Sequence, residues 1–100
     1  MKKLLFLMCL SSSAFASEPS IERQTELRNL LKNDCGACHG FTLQGGLGLP
    51  LQAENLVGKP DEYLIDIITN GRKGTAMPPW KPFLNPEEIA WLVQFLKNPN

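Results

Sequence analysis

Apolar residues recur at helical spacing in three separate stretches of this chain. In the first, Leu27, Leu30 and Leu31 fall at i, i+3 and i+4 and line one face. Ser20 precedes them as a candidate N-cap. Glu22 and Glu26 sit in the early turns and Arg28 and Lys32 in the later ones, the order a helix dipole favours. The pattern predicts a helix over residues 21–34. The second stretch repeats the spacing with Leu64, Ile67 and Ile68. Pro60 suits its first turn, Asp61 and Glu62 are acidic there, and Gly71 is a natural stop, which predicts a helix over residues 60–70. The third has the sharpest start. Asn85 reads as the N-cap, Pro86 as the first helical residue and Glu88 as the capping-box acid. Ile89, Leu92, Val93 and Leu96 make one face with Trp91 and Phe95 beside it, and Asn98-Pro99 ends the helix.

Two loops separate these helices. Gly40, Gly45, Gly46, Gly48, Gly58 and Pro50 interrupt any regular pattern over residues 40–58. So long a structureless stretch inside a compact domain is uncommon unless it serves a function. Phe41, Leu43, Leu47, Leu49, Leu51, Leu56 and Val57 all need burial, so this loop is expected to wrap something apolar. The second loop, residues 72–84, holds Gly74, Pro78, Pro79 and Pro82. No alternating strand pattern and no internal repeat is visible. The chain therefore reads as all-α: three main helices, two long loops, and a need for something central.

Composition sharpens that need. The chain has 100 residues, 43% hydrophobic and 20% charged, with 10 basic and 10 acidic side chains. It is too apolar to be disordered and too evenly charged for electrostatic nucleic-acid binding. Lys2 and Lys3, the apolar run Leu4 to Leu10 and the small-x-small site Ala14-Phe15-Ala16 read as a cleaved secretory signal over residues 1–16. Its apolar run is far shorter than the roughly 20 residues that span a bilayer, so no membrane span is expected. A lipidated Cys9 is the alternative, but Phe6-Leu7-Met8 lacks the small residue expected before such a cysteine. Cleavage leaves residues 17–100 with 8 basic and 10 acidic side chains, net −2. A single domain of that size is marginal on a hydrophobic core alone. What remains to staple it is Cys35, Cys38, His39 and Met77.

Cys35-Gly36-Ala37-Cys38-His39 is the covalent attachment pattern of c-type haem. Two thiols add to the two vinyl groups along one haem edge, and the next residue carries an imidazole to the iron. Small Gly36 and Ala37 leave the porphyrin edge unobstructed. The rivals fit less well. A structural zinc needs four ligands, and Cys35, Cys38 and His39 are three. A redox dithiol is expected near a strand-helix unit. A plain disulfide would staple one short turn and leave His39 unexplained. With His39 proximal, the soft donor left for the sixth position is Met77, in Gly74-Thr75-Ala76-Met77-Pro78-Pro79-Trp80. A lone methionine is often core filler, but this one lies in an irregular loop. His/Met ligation saturates the iron and raises its potential, which argues for electron transfer and against an enzyme such as a small peroxidase.

These motifs resemble the class I c-type cytochromes over nearly the whole of residues 17–100. The resemblance implies one cytochrome c domain with long loops wrapped around one covalent haem c. It implies that the first and last helices cross, Leu27, Leu30 and Leu31 meeting Leu92, Val93 and Leu96. In that family a proline within Gly-Pro-x-Leu offers its carbonyl to the proximal histidine. Here Gly48-Leu49-Pro50-Leu51 puts Leu49 at the proline's place, so either Leu49 or Pro50 serves His39. A narrower resemblance is to the small NirC-type cytochromes of denitrifying bacteria. It is carried by Asp34-Cys35-Gly36-Ala37-Cys38-His39-Gly40, Leu43-Gln44-Gly45-Gly46-Leu47-Gly48, Asn70-Gly71-Arg72 and the residues from Thr75 to Trp80. It implies a periplasmic, monomeric electron carrier whose partner is cytochrome cd1 nitrite reductase or the haem d1 biosynthesis proteins.

Around the haem, Trp80 and Arg72, with Lys73, are candidates for the propionates. Lys59, Arg72, Lys73 and Lys81 would form a basic rim, although Asp61, Glu62 and Asp66 intervene and an ordinary mixed surface is the simpler reading. Tyr63 is expected to pack its helix.

Overall fold

The computed structural model describes residues 18–99, so the signal-peptide expectation for residues 1–16, and the Cys9 alternative with it, lies outside the described residues. Among those residues all regular structure is helical, in the order α1 (Ile21–Leu30), α2 (Gly36–His39), α3 (Ala53–Leu56), α4 (Asp61–Asn70) and α5 (Pro86–Lys97). A π-helical turn, Leu31–Cys35, joins α1 to α2. The first helix therefore runs without a break to His39, past the end at residue 34 that the apolar spacing predicts. The wider turn is closed by the Gly36 N–H on the Leu31 carbonyl.

The caps read from the sequence are present. Ser20 accepts the Arg23 N–H at 3.1 Å. Asn85 and Glu88 form a reciprocal capping box, Glu88 N–H to Asn85 at 2.8 Å and Asn85 N–H to Glu88 at 3.0 Å. Pro60 stands just outside α4 as its extended N-cap residue rather than in the first turn.

The packing converges on α5, which contacts α1, α3 and α4. Leu27 and Leu31 join Leu56, Leu84, Ile89, Leu92 and Leu96 in one buried cluster, and Val93 is also fully buried. This is the crossing of first and last helices that the family resemblance implies. Trp91 and Phe95 lie beside it, stacked at 5.2 Å. Two polar clamps secure the ends of α5. Arg23 Nε meets Glu88 Oε2 at 2.7 Å. Lys97 Nζ donates to Asp61 Oδ1 at 2.6 Å and to the Lys59 carbonyl at 2.5 Å, while Gln94 holds the second Asp61 oxygen at 2.6 Å.

The loop over residues 40–58 is only partly covered by the protein itself. It contains the short helix α3, and of its apolar residues only Leu56 is buried, with Leu43 and Leu51 half-buried. Phe41, Leu47, Leu49 and Val57 stay exposed, at 65%, 83%, 69% and 80%. The core is filled by α1, the adjoining π turn and α5 together with Leu56 of this loop and Leu84, and half-buried residues of α4, Leu43 and Leu51 pack against it. Tyr63, expected as packing, is 49% exposed.

Candidate functional site

The π turn delivers Cys35 at its end, and α2 carries Cys38 and His39 on the next turn. Both cysteines are half-buried and free. Burial pushes the Cys35 thiol up to about 11, with Asp34 and then Cys38 adding to it. A thiol held neutral is a poor metal ligand or exchange nucleophile at neutral pH. Among the described residues no cluster of three or more His, Cys, Asp or Glu is placed to hold a metal ion.

The glycine-rich loop closes the end of α2. Gly48 N–H donates to the Cys38 carbonyl at 2.7 Å and Gly45 N–H to the His39 carbonyl at 2.8 Å, pairing acceptors that a helix end leaves free. Gly48 also lies flat against the imidazole, where no side chain would fit. His39 Nδ1 is 2.7 Å from the Leu49 carbonyl. A carbonyl only accepts, so Nδ1 carries the proton and Nε2 keeps its lone pair for a ligand role. Of the two carbonyls left open by the sequence, the one in contact with the ring is that of Leu49. Pro50 turns its ring toward Gly45 instead.

Met77 sits half-buried in a loop anchored on the end of α4. Arg72 N–H reaches the Met77 carbonyl at 3.2 Å, and the Trp80 N–H reaches the Ile68 carbonyl at 2.9 Å. The loop folds tightly over Gly71, whose φ of 73° is left-handed and whose added Cβ would come within 2.7 Å of the Met77 carbonyl. Trp80 is half-buried against the core and meets Phe83 edge-on at 5.8 Å. Arg72, Lys73, Lys59 and Lys81 are all exposed and, among the described residues, form no ion pair.

These features suit a flat, apolar macrocycle carrying a metal. The donor set is two thiols one turn apart, an imidazole with one nitrogen committed, and a thioether on a separate loop. The apolar surface also fits. Leu64, Ile65, Ile67 and Ile68 of α4 are only half-buried, and Phe41, Leu47, Leu49, Val57 and Phe83 are exposed. Leu64, Ile65 and Ile68 pack in part against the core, and the apolar area left uncovered suits such a group. Sequence reading missed Leu84, which is buried in the core, and Thr75, whose hydroxyl bonds the Met77 loop. A threonine between a glycine and a proline-flanked residue is the turn signal that points to the latter.

The family model described as cytochrome C oxidase, cbb3-type, subunit III matches residues 22–96. A Paracoccus denitrificans protein named cytochrome c55X is 45% identical over 92 residues, 92% of this chain and 89% of that protein. A solved structure described as c-type cytochrome NirC superposes with a TM-score of 0.80 at 46% identity, covering 82% of this chain and 96% of that one. Dihydro-heme d1 dehydrogenase NirN in complex with DHE matches with a TM-score of 0.65 at 30% identity, over 71% of this chain and 15% of that one.

Proposed function

The chain belongs to the c-type cytochromes of the cbb3-type subunit III family, and from that premise we propose that it is a periplasmic electron carrier for cytochrome cd1 nitrite reductase. It is an electron-transfer protein with a covalently bound haem c. The haem supplies a one-electron iron couple when bound. In this reading Cys35 and Cys38 would hold the macrocycle, His39 and Met77 would ligate its iron, and Leu49, Pro50, Arg72 and Trp80 would border it. The observation that carries the reading is the Leu49 carbonyl on His39 Nδ1 at 2.7 Å. It leaves the imidazole one nitrogen, oriented and electron-rich, for the iron. With His39 and Met77 both given to the iron, no position there would be left for a substrate, which supports a carrier over an enzyme. Residues 1–16 would direct export and be cleaved, and the carrier would act as a monomer. No helix among the described residues is long and apolar enough to cross a membrane.

A second reading places the electrons in the late steps of haem d1 formation. It is favoured by the likeness to the dihydro-heme d1 dehydrogenase. One experiment separates the two. The gene is deleted and the nitrite reductase is purified. Full d1 haem content, with reduction restored by adding this cytochrome, supports the donor role. Enzyme lacking d1 haem supports the biosynthetic role and overturns the first reading.

A further inference from the structure

A single hydroxyl closes the loop that carries Met77. Thr75 Oγ1 donates to the Arg72 carbonyl at 2.7 Å and accepts the Met77 N–H at 3.2 Å. The Thr75 N–H reaches the same Arg72 carbonyl at 3.1 Å, and the Arg72 N–H reaches the Met77 carbonyl at 3.2 Å. Both peptide groups of Met77 are therefore tied within its own loop, the carbonyl by backbone and the N–H by this side chain. Pro78 follows at once and keeps Met77 extended, so the direction of the Met77 side chain depends on these two ties. Beyond Met77 the loop is anchored on α4 by the Trp80 N–H on the Ile68 carbonyl, but little restrains its tip from outside. Gly74, Thr75 and Ala76 are exposed, and the space around Gly74 is open.

We infer that Thr75 is a positioning residue for the axial thioether: its hydroxyl fixes the peptide preceding the Met77 side chain and so sets how firmly the sulfur stays on the iron. This rests on Met77 ligation as proposed above. Without the hydroxyl, the Met77 N–H turns to water and the loop gains conformers in which the sulfur is withdrawn. The sulfur-bound population falls, although the α1–α5 core, which makes no contact through Thr75, is unaffected.

The test uses the haem-loaded protein with Thr75→Val, which keeps the shape and loses the hydroxyl, and Thr75→Ser, which restores it. Met77→Leu marks complete loss of the thioether. Three quantities are read: the far-red sulfur-to-iron charge-transfer band of the ferric form as pH rises, the affinity for added imidazole, and the urea midpoint of the helices. Thr75→Val is expected to bind imidazole roughly tenfold more tightly, the effect of two lost hydrogen bonds, and to lose the band at lower pH. Its urea midpoint should stay near wild type, and Thr75→Ser should return both other readouts. A wild-type band and imidazole affinity in Thr75→Val overturns the positioning role, as does band loss only in step with global unfolding. Should valine prevent haem loading, Thr75→Ala is read by the same criteria. A band absent from wild type, or retained in Met77→Leu, overturns Met77 ligation itself.

Discussion

The backbone of Gly48 lies directly against the ring of His39: a Cβ built on Gly48 would come within 2.7 Å of both Nδ1 and Cε1. The same ring nitrogen is bonded by the next residue's carbonyl at 2.7 Å. Position 48 therefore admits no side chain unless the imidazole moves. Gly48→Ala is expected to destabilise the holo-protein by about 1–3 kcal/mol through overpacking. Because the ring cannot move and keep its bond to Leu49, the reduction potential should shift as well. Chemical unfolding and a redox titration of the same sample check both.

Glu88 does two jobs with one carboxylate. One oxygen caps α5 through the Asn85 N–H at 3.0 Å and the other pairs with Arg23 at 2.7 Å. Glu88→Ala should cost about 1 kcal/mol from the lost cap alone. Glu88→Gln keeps a capping oxygen and should cost less. The urea midpoints of the two variants against wild type measure the difference.

The Arg23 hydrogen bond, aided by the Asn85 amide, holds the Glu88 carboxyl below its ordinary value of 4.5 although partial burial opposes this. A carboxyl with a lowered native value binds its proton more weakly folded than unfolded. Its contribution is therefore complete above that ordinary value and disappears as pH falls through the lowered one. Wild type should exceed Glu88→Gln in stability at neutral pH, and the gap should close in acid. Urea titrations across that acid range test the sign.

Asp61 is the equivalent point at the other end. Its bond to Lys97, then that to Gln94, lowers its carboxyl from the ordinary range. Asp61→Asn should loosen the first turn of α4 on α5. Amide hydrogen exchange is expected to quicken in α4 and stay slow in α1, whereas quickening in all helices together would contradict a local clamp.

Leu27 is fully buried where α1 meets α5. Leu27→Ala should cost about 2–5 kcal/mol. In a domain this small that is enough to leave part of the protein unfolded at ambient temperature, visible as a lower thermal midpoint.

What the sequence made legible follows from how local each signal is. The start of α5 was readable because Asn85, Pro86 and Glu88 make their capping contacts among themselves. The attachment motif was readable because its spacing is imposed by the haem edge. The π turn was not, because Leu31 and Cys35 keep the apolar rhythm of a normal helix while the bonding widens by one residue. The apolar residues of the 40–58 loop could be read as needing cover, but not which of them the chain covers itself: Leu56 enters the core, while Leu47 and Val57 do not. Thr75 was hidden, and the choice between Leu49 and Pro50 was open, for a related reason: each acts through backbone groups brought close only by the fold.

The position of α5 carries a consequence for the order of events during synthesis. Every other major helix rests on α5, which follows them in the chain, so their shared core closes only once residues 86–97 are present. Until then Cys35 and Cys38 belong to an open chain, and their thiols are not yet desolvated by the surrounding protein. The sequence order thus gives the cysteines a period of full accessibility that ends only when α5 docks.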